Sequence, residues 1–220
     1  MKIIFKILIL LIIFQCKSYA LNFYKYPEKS LEDGFCNKLY KNLNNPNFPY
    51  SREDPIIVKA DLLNFKYLEK YLNNVDLAIN VAAESHVDNS FGNSLLFTKT
   101  NTLGTHCFLE ACRKQKVKKI IHVSTDEVYG ENSNKPFKEN QILNPTNPYS
   151  ASKAGADMMV NAYNKSYKLK ITTVRANNIY GTRQFPEKLV SKSIFNFMNK
   201  KKMTIHGRGK NFRFYLSVKD

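Results

Sequence analysis

The sequence lacks several features that would mark a function quickly. Its four cysteines, Cys16, Cys36, Cys107 and Cys112, form no C-x-x-C pair. No His or Cys stands near them at zinc-like spacing, so no metal site is expected. There is no internal repeat and no low-complexity linker. The one apolar run, from Ile7 to Phe14, is too short and too interrupted for a spanning helix. Acidic residues are scarce: 18 Asp and Glu stand against 34 Lys and Arg, for a net charge of +16. That balance raises the idea of a nucleic-acid binder. The lysines, however, are spread over the whole length, and only "RKQKVKK" (113–119) and "NKKKM" (199–203) cluster. Both clusters precede apolar strand-like runs, where a solvated helix end is the simpler reading. No aromatic-basic motif of the single-strand-binding type accompanies them. No nucleic-acid partner is therefore expected.

What is present suits a folded protein. The chain has 220 residues, enough for one α/β domain or one domain plus part of a second. Its hydrophobic content of 43% can build a packed core. The first twenty residues, with Lys2 and Lys6, an apolar run and Ser18-Tyr19-Ala20, have the grammar of a secretory signal. Two alternatives remain open for this leader: a first buried strand, or a segment foreign to the working fold. Unpaired cysteines favour a reducing, cytoplasmic setting. A cleaved leader would instead send the chain to the secretory pathway.

From residue 55 onward strand and helix patterns alternate. "PIIVKADLL" (55–63) reads as a strand ending at Asp61, and 65–74 as an amphipathic helix. "VDLAINVAA" (75–83) reads as a buried strand, 94–113 as one long helix and "VKKIIHVST" (117–125) as a third strand. A helix over 150–167, a strand over 169–181, a helix over 186–200 beginning at Pro186 and a short strand over 203–209 complete the reading. Near-continuous apolar strands separated by helices imply a doubly wound parallel sheet, α/β and Rossmann-like, covered on both faces. In such sheets ligands bind beyond the carboxyl ends of the strands. Asp61, 82–85, Ser124–Glu127 and 176–178 all fall at such ends. A turn just past a strand would let the neighbouring carboxylates of Asp126 and Glu127 converge on one ligand.

"YSASK" places Tyr149 and Lys153 four apart, on one face of a helix. An ammonium beside a phenol favours the phenolate, and a lysine-held tyrosinate is a base fit for a sugar hydroxyl. On its own, Y-x-x-x-K also describes an ordinary exposed helical pair. Here a strand ending in Ser-Thr precedes it, and an Asn-Asn-bearing strand follows.

"AAESHVDNSFGNS", "STDEVYG", "NPYSASKAGAD" and "NNIYGTRQFPEKL", in this order over about residues 56–220, resemble the nucleotide-sugar 4,6-dehydratases of the extended short-chain dehydrogenase/reductase family. The likeness extends to members acting on dTDP-glucose and on UDP-glucose. The resemblance implies NAD as cofactor and a nucleotide-activated hexose as substrate. It implies Thr125, Asp126, Glu127, Tyr149 and Lys153 as the catalytic set. Tyr149, with Lys153 and Thr125, would deprotonate the sugar C4 hydroxyl. Glu127 would take the C5 proton while Asp126 protonates the departing C6 hydroxyl. Asp126 must then be protonated while Glu127 is ionised, and adjacent carboxylates resist ionising together. By the same likeness, Asp61, Leu62, Ala82, Ala83, Ser85, Thr100 and Ser124 accompany Tyr149 and Lys153 at the cofactor. Asp61 alone could equally be a helix cap. Ser85, Thr125, Asn178, Glu187, Lys188, Leu189 and Arg213 would meet the substrate. The family pairs as homodimers through a four-helix interface, for which the helices at 94–113 and 150–167 are available.

The likeness also defines gaps. A dinucleotide site needs a glycine-rich turn after the first strand. Here the first glycine is Gly34 and the next Gly92. Side chains in that turn would keep the backbone from a pyrophosphate. The expected organisation is a leader over 1–20, a Rossmann-like domain over 21–185 without its first strand and glycine turn, and the start of a substrate lobe over 186–220. Two readings follow: an NAD-dependent dehydratase, or a degenerate, non-catalytic relative kept as a binding protein.

Overall fold

The computed structural model describes residues 7–10, 60–131, 136–182, 184, 187–203, 205, 209 and 212–219. The chain divides into two compact units, Met1–Leu11 with Leu62–Asp220, and Ile12–Asp61. Of the second unit only residues 60 and 61 are described, and Asp61 is exposed. The strand expected over 55–63 therefore lies largely outside the described residues.

Four strands form one sheet in the order β1 (Ile7–Leu10), β2 (Leu77–Asn80), β3 (Lys119–Thr125) and β4 (Ile171–Ala176). Every neighbouring pair is parallel. Parallel strands cannot be joined by tight turns, so long crossovers carrying helices separate them. Residues 7–10 of the apolar leader thus form a strand beside β2, one of the alternatives the sequence left open.

The first helix, α1 (Phe65–Tyr71), opens on Asn64, whose side chain accepts from the Tyr67 amide. Such a cap satisfies an amide that has no intrahelical partner. Short helices α2 (Val87–Gly92) and α3 (Ser94–Phe97) follow β2. The sequence pattern gave one continuous helix over 94–113. The structure instead inserts a π-helical turn, Thr98–Leu103, between α3 and α4 (Gly104–Lys114). The widened turn carries Asn101 into the interior, where its side chain accepts from the Glu84 amide and donates to the Glu84 carbonyl and to Ser152 Oγ. Three polar bonds that a regular helix would forgo favour the irregular turn.

Helix α5 (Pro148–Tyr167) begins with a capping box: Asn147 accepts from the Ser150 amide while Ser150 Oγ accepts from the Asn147 amide. Proline at its first position costs nothing, because that amide has no partner anyway. The core lies where α1, α4 and α5 meet β2 and β3. Leu68, Leu72, Phe97, Phe108, Leu109, Ala111, Cys112, Ile120 and Val160 are buried there.

Beyond β3 the expected single strand over 169–181 splits. The β3–β4 ladder ends where Thr125 pairs with Ala176, and the chain turns at Asn177. Then β5 (Asn178–Tyr180) leaves to pair in parallel with β6 (Tyr215–Ser217) in a separate two-stranded sheet. The strand expected over 203–209 does not form at the described residues 203, 205 and 209. Helix α6 (Leu189–Met198) is shorter than the expected 186–200 and buries none of its residues. Pro186 lies outside the described residues. Thr172 and Val174 of β4 are also exposed, so β4 is not covered on both faces as expected.

Candidate active site

Strand β3 ends at Thr125, and its extended backbone caps a single 3-10 turn, Asp126–Tyr129. Thr125 Oγ1 accepts from the Glu127 amide at 3.3 Å and donates to Asp126 Oδ1 at 3.2 Å. The adjacent carboxylates therefore leave the strand's two-sided alternation and reach one cavity. Gly130 closes the turn at φ 91° and ψ −159°, a conformation restricted to glycine. A Cβ there would run into the Asn144 carbonyl oxygen.

The cavity has a volume of about 410 Å³. Of the sequence candidates it gathers Ser85, Ser124, Thr125, Asp126, Glu127, Tyr149, Asn178, Glu187, Lys188 and Leu189. Lys188 Nζ donates to the Ser85 carbonyl at 2.7 Å, which draws the residues around α6 onto the segment after β2. Glu187 raises the carboxyl of half-buried Glu84 above its ordinary value, second to the effect of burial. Glu127 also accepts from Asn147 Nδ2 at 3.4 Å, so the cap of α5 touches the acidic turn.

Other candidates lie elsewhere. Leu62 is fully buried, and its side chain packs against Gly104. Any ligand contact it makes would use its backbone. Thr100 and Ala82 are buried and Ala83 half-buried, all outside the cavity lining. Arg213 is exposed, donates to the Phe212 carbonyl and does not line the cavity. Sequence reasoning missed His86, Asp88, Gln184 and Tyr215, which do line it. His86 and Asp88 stood inside a quoted motif. Tyr215 arrives only through the pairing of β6 with β5, which no local pattern announces. Among the described residues no group of His, Cys, Asp and Glu could hold a metal ion.

Tyr149 and Lys153 share a face of α5 as expected, but the electrostatics differ from the expectation. Burial, followed by the Glu127 carboxylate, pushes the Tyr149 phenol up to about 12, against a hydrogen bond with Thr125 that pulls it down. Lys153 is only 3% exposed, and its Nζ donates to the Val123 carbonyl at 2.7 Å. Burial pulls its ammonium down to about 8, while Asp157 one helical turn further on pulls the other way. Burial first, and then Glu127, set the charge of the phenol.

A parallel sheet with helices between its strands defines an α/β protein of the Rossmann-like class. A family model described as GDP-mannose 4,6 dehydratase matches residues 31–220, and the chain belongs to that family. It is similar to a dTDP-D-glucose 4,6-dehydratase of Dictyostelium discoideum, 51% identical over 175 residues, 74% of this chain and 40% of that protein. A trifunctional UDP-glucose 4,6-dehydratase/UDP-4-keto-6-deoxy-D-glucose 3,5-epimerase/UDP-4-keto-L-rhamnose-reductase of Arabidopsis thaliana is 49% identical over 195 residues, 84% of this chain and 28% of that protein. Among solved structures, a dTDP-glucose 4,6-dehydratase from Streptomyces venezuelae with NAD and TYD bound superposes with a TM-score of 0.75 at 36% identity, covering 76% of this chain and 52% of that one. The chain thus spans between 28% and 40% of the length of these two curated relatives. No helix among the described residues is long and apolar enough to cross a membrane.

Proposed function

We propose that the chain carries the catalytic centre of an NAD-dependent nucleotide-sugar 4,6-dehydratase. Its substrate is a hexose, glucose in the first instance, joined to dTDP or UDP. The observation that supports this reading is one cavity lined by Thr125, Asp126, Glu127 and Tyr149 together with Asn178, Glu187 and Lys188.

The fit of NAD rests on Lys153. An ammonium has three donors, and one goes to Val123. The donors left over suit a ribose diol and the Tyr149 oxygen, so Tyr149, Lys153 and Ser124 would hold the nicotinamide riboside end. NAD held there would supply the hydride acceptor for oxidation at C4 and the donor for the later reduction at C6. Within the chain, Tyr149 Oη in its phenolate form would take the proton of the C4 hydroxyl, with the Thr125 hydroxyl in reach of both Tyr149 and Asp126; burial and Glu127 disfavour that form, so the step should quicken as pH rises. Once C4 is a ketone the C5 proton is acidic, and Glu127 removes it. Asp126 gives a proton to the C6 hydroxyl, which departs as water. Thr125, Asp126, Glu127 and Tyr149 are the catalytic residues of this scheme, and Lys153 supplies the charge beside the phenol.

Homodimerisation through α4 and α5 belongs to the same reading, supported by the exposed Met158 of α5 and by the exposed Leu103 of the π-helical turn that leads into α4. A cytoplasmic setting fits the free thiols of Cys107 and Cys112. A second reading, a non-catalytic relative, draws on the missing glycine turn alone.

The deciding experiment mixes the full chain with NAD and dTDP-glucose or UDP-glucose and follows the methyl signal of a 4-keto-6-deoxy sugar by proton NMR. The signal is expected with wild type and not with Glu127→Gln. Nucleotide-sugar binding without product in the wild type would favour the non-catalytic relative.

A further inference from the structure

Outside the cavity lining lies a buried polar chain that the mechanism does not use. Asp157 is 3% exposed and sits on α5 one turn past Lys153. Its Oδ2 accepts from Arg175 Nε of β4 at 2.8 Å. Its Oδ1 faces His122 Nε2 of β3 at 3.4 Å. Asn80 Nδ2 lies 3.3 Å from His122 Nδ1, which makes Nδ1 the acceptor and leaves the ring proton on Nε2, toward Asp157. Burial holds that imidazole below its ordinary value, against the pull of Asp157. Arg175 is the guanidinium bonded to Asp157, and the Lys153 ammonium also feels its charge.

The other end of Arg175 reaches the acidic turn. Its Nη1 donates to the Tyr129 hydroxyl at 2.6 Å and to the Glu139 carbonyl at 3.1 Å. The guanidinium also lies over the Tyr129 ring at 5.0 Å, and Phe137 stacks on that ring at 5.1 Å. Tyr129 is the last residue of the 3-10 turn whose first two residues are Asp126 and Glu127. Asp157 lies on the helix that carries Tyr149 and Lys153. The acid pair and the phenol–ammonium pair are thus tied to one guanidinium by charge-assisted bonds, which are shorter and more directional than apolar packing.

We propose that Asp157, Arg175 and Tyr129 form a positioning strut that sets the distance between the Asp126–Glu127 turn and the Tyr149–Lys153 helix. None of the three touches the cavity. Loosening the strut frees the turn, which is one short irregular segment, before it moves α5, a helix of 20 residues packed along its length. Elimination at C5 and C6 should suffer more than oxidation at C4, because only elimination needs the carboxylates in place. This chemical consequence rests on the dehydratase reading; the mechanical one does not.

The test uses the full chain with Tyr129→Phe, which keeps the ring and its packing, and Arg175→Lys, which keeps the charge and loses the fork. Amide hydrogen exchange reads the turn directly. The Gly130 amide donates to the Glu127 carbonyl and the Asn144 amide to the Val128 carbonyl. Both should exchange about tenfold faster in either variant, while the amides of α5 keep their wild-type rates. Unchanged exchange at Gly130 and Asn144 overturns the strut. With dTDP-glucose and NAD, Tyr129→Phe should lower kcat for dehydration about tenfold at unchanged KM, while reduced nicotinamide still forms. Equal losses in oxidation and dehydration, or a raised KM alone, also overturn it. If the wild-type chain turns nothing over, the dehydratase reading fails, and the exchange arm decides the strut by itself.

Discussion

Lys153 offers a prediction whose sign and size both follow from its surroundings. The perturbation is pH. Burial lowers its ammonium from the ordinary 10.5 to about 8, so the fold binds this proton less well than the unfolded chain does. Below about pH 8 both states are protonated, and the fold carries the full cost of the buried charge. Between about pH 8 and 10.5 the unfolded chain holds a proton that the folded chain has released, so stability rises with pH. The full difference corresponds to roughly 3 kcal/mol, since each pH unit between the two values is worth about 1.4 kcal/mol. Tyr149 acts in the opposite direction at higher pH. Its phenol sits near 12 when folded against an ordinary 10, so the stability it contributes is complete below about pH 10 and lost as pH rises toward 12. Urea midpoints measured from about pH 7 to 11 for wild type and Lys153→Met isolate the lysine. Methionine fills the space without a charge and leaves the Val123 carbonyl without its donor, a pH-independent cost of about 1 kcal/mol. The wild-type-minus-variant difference should climb between about pH 8 and 10. A flat difference across that interval would refute the reasoning.

Gly130→Ala places a Cβ against the Asn144 carbonyl at positive φ, and should cost about 2–4 kcal/mol in chemical denaturation and lower dehydratase turnover more than nucleotide-sugar affinity. Phe108→Ala, at a fully buried position in α4, should cost about 3–5 kcal/mol without altering the KM of the folded fraction, measured by urea unfolding and steady-state kinetics. Asp126→Asn should reduce kcat for dehydration by about 100-fold while reduced nicotinamide accumulates, read by absorbance, since only the acid at C6 is lost. Asn147→Ala removes both the cap of α5 and the contact to Glu127, and should cost about 1 kcal/mol by thermal unfolding.

Local pattern alone determined much of this protein. The alternation of apolar strands with helices fixed a parallel α/β sheet, because each run can bury itself only one way. The Ser-Thr-Asp-Glu and Tyr-x-x-x-Lys segments, each contiguous in the chain, carried the candidate reacting groups through their resemblance to a family pattern. What depended on distant partners stayed hidden. The π-helical turn at Thr98–Leu103 exists because Asn101 meets Glu84 and Ser152. The break at Asn177 exists because β3 runs out at Thr125 and β6, near the end of the chain, offers β5 a new partner. The protonation of Tyr149 followed from burial and from Glu127, not from the lysine four residues away. The tie from Asp157 through Arg175 to Tyr129 joins α5, β4 and the acidic turn. Sequence spacing carries no sign of it, because charge-assisted bonds between separate elements form only once the sheet has brought those elements together.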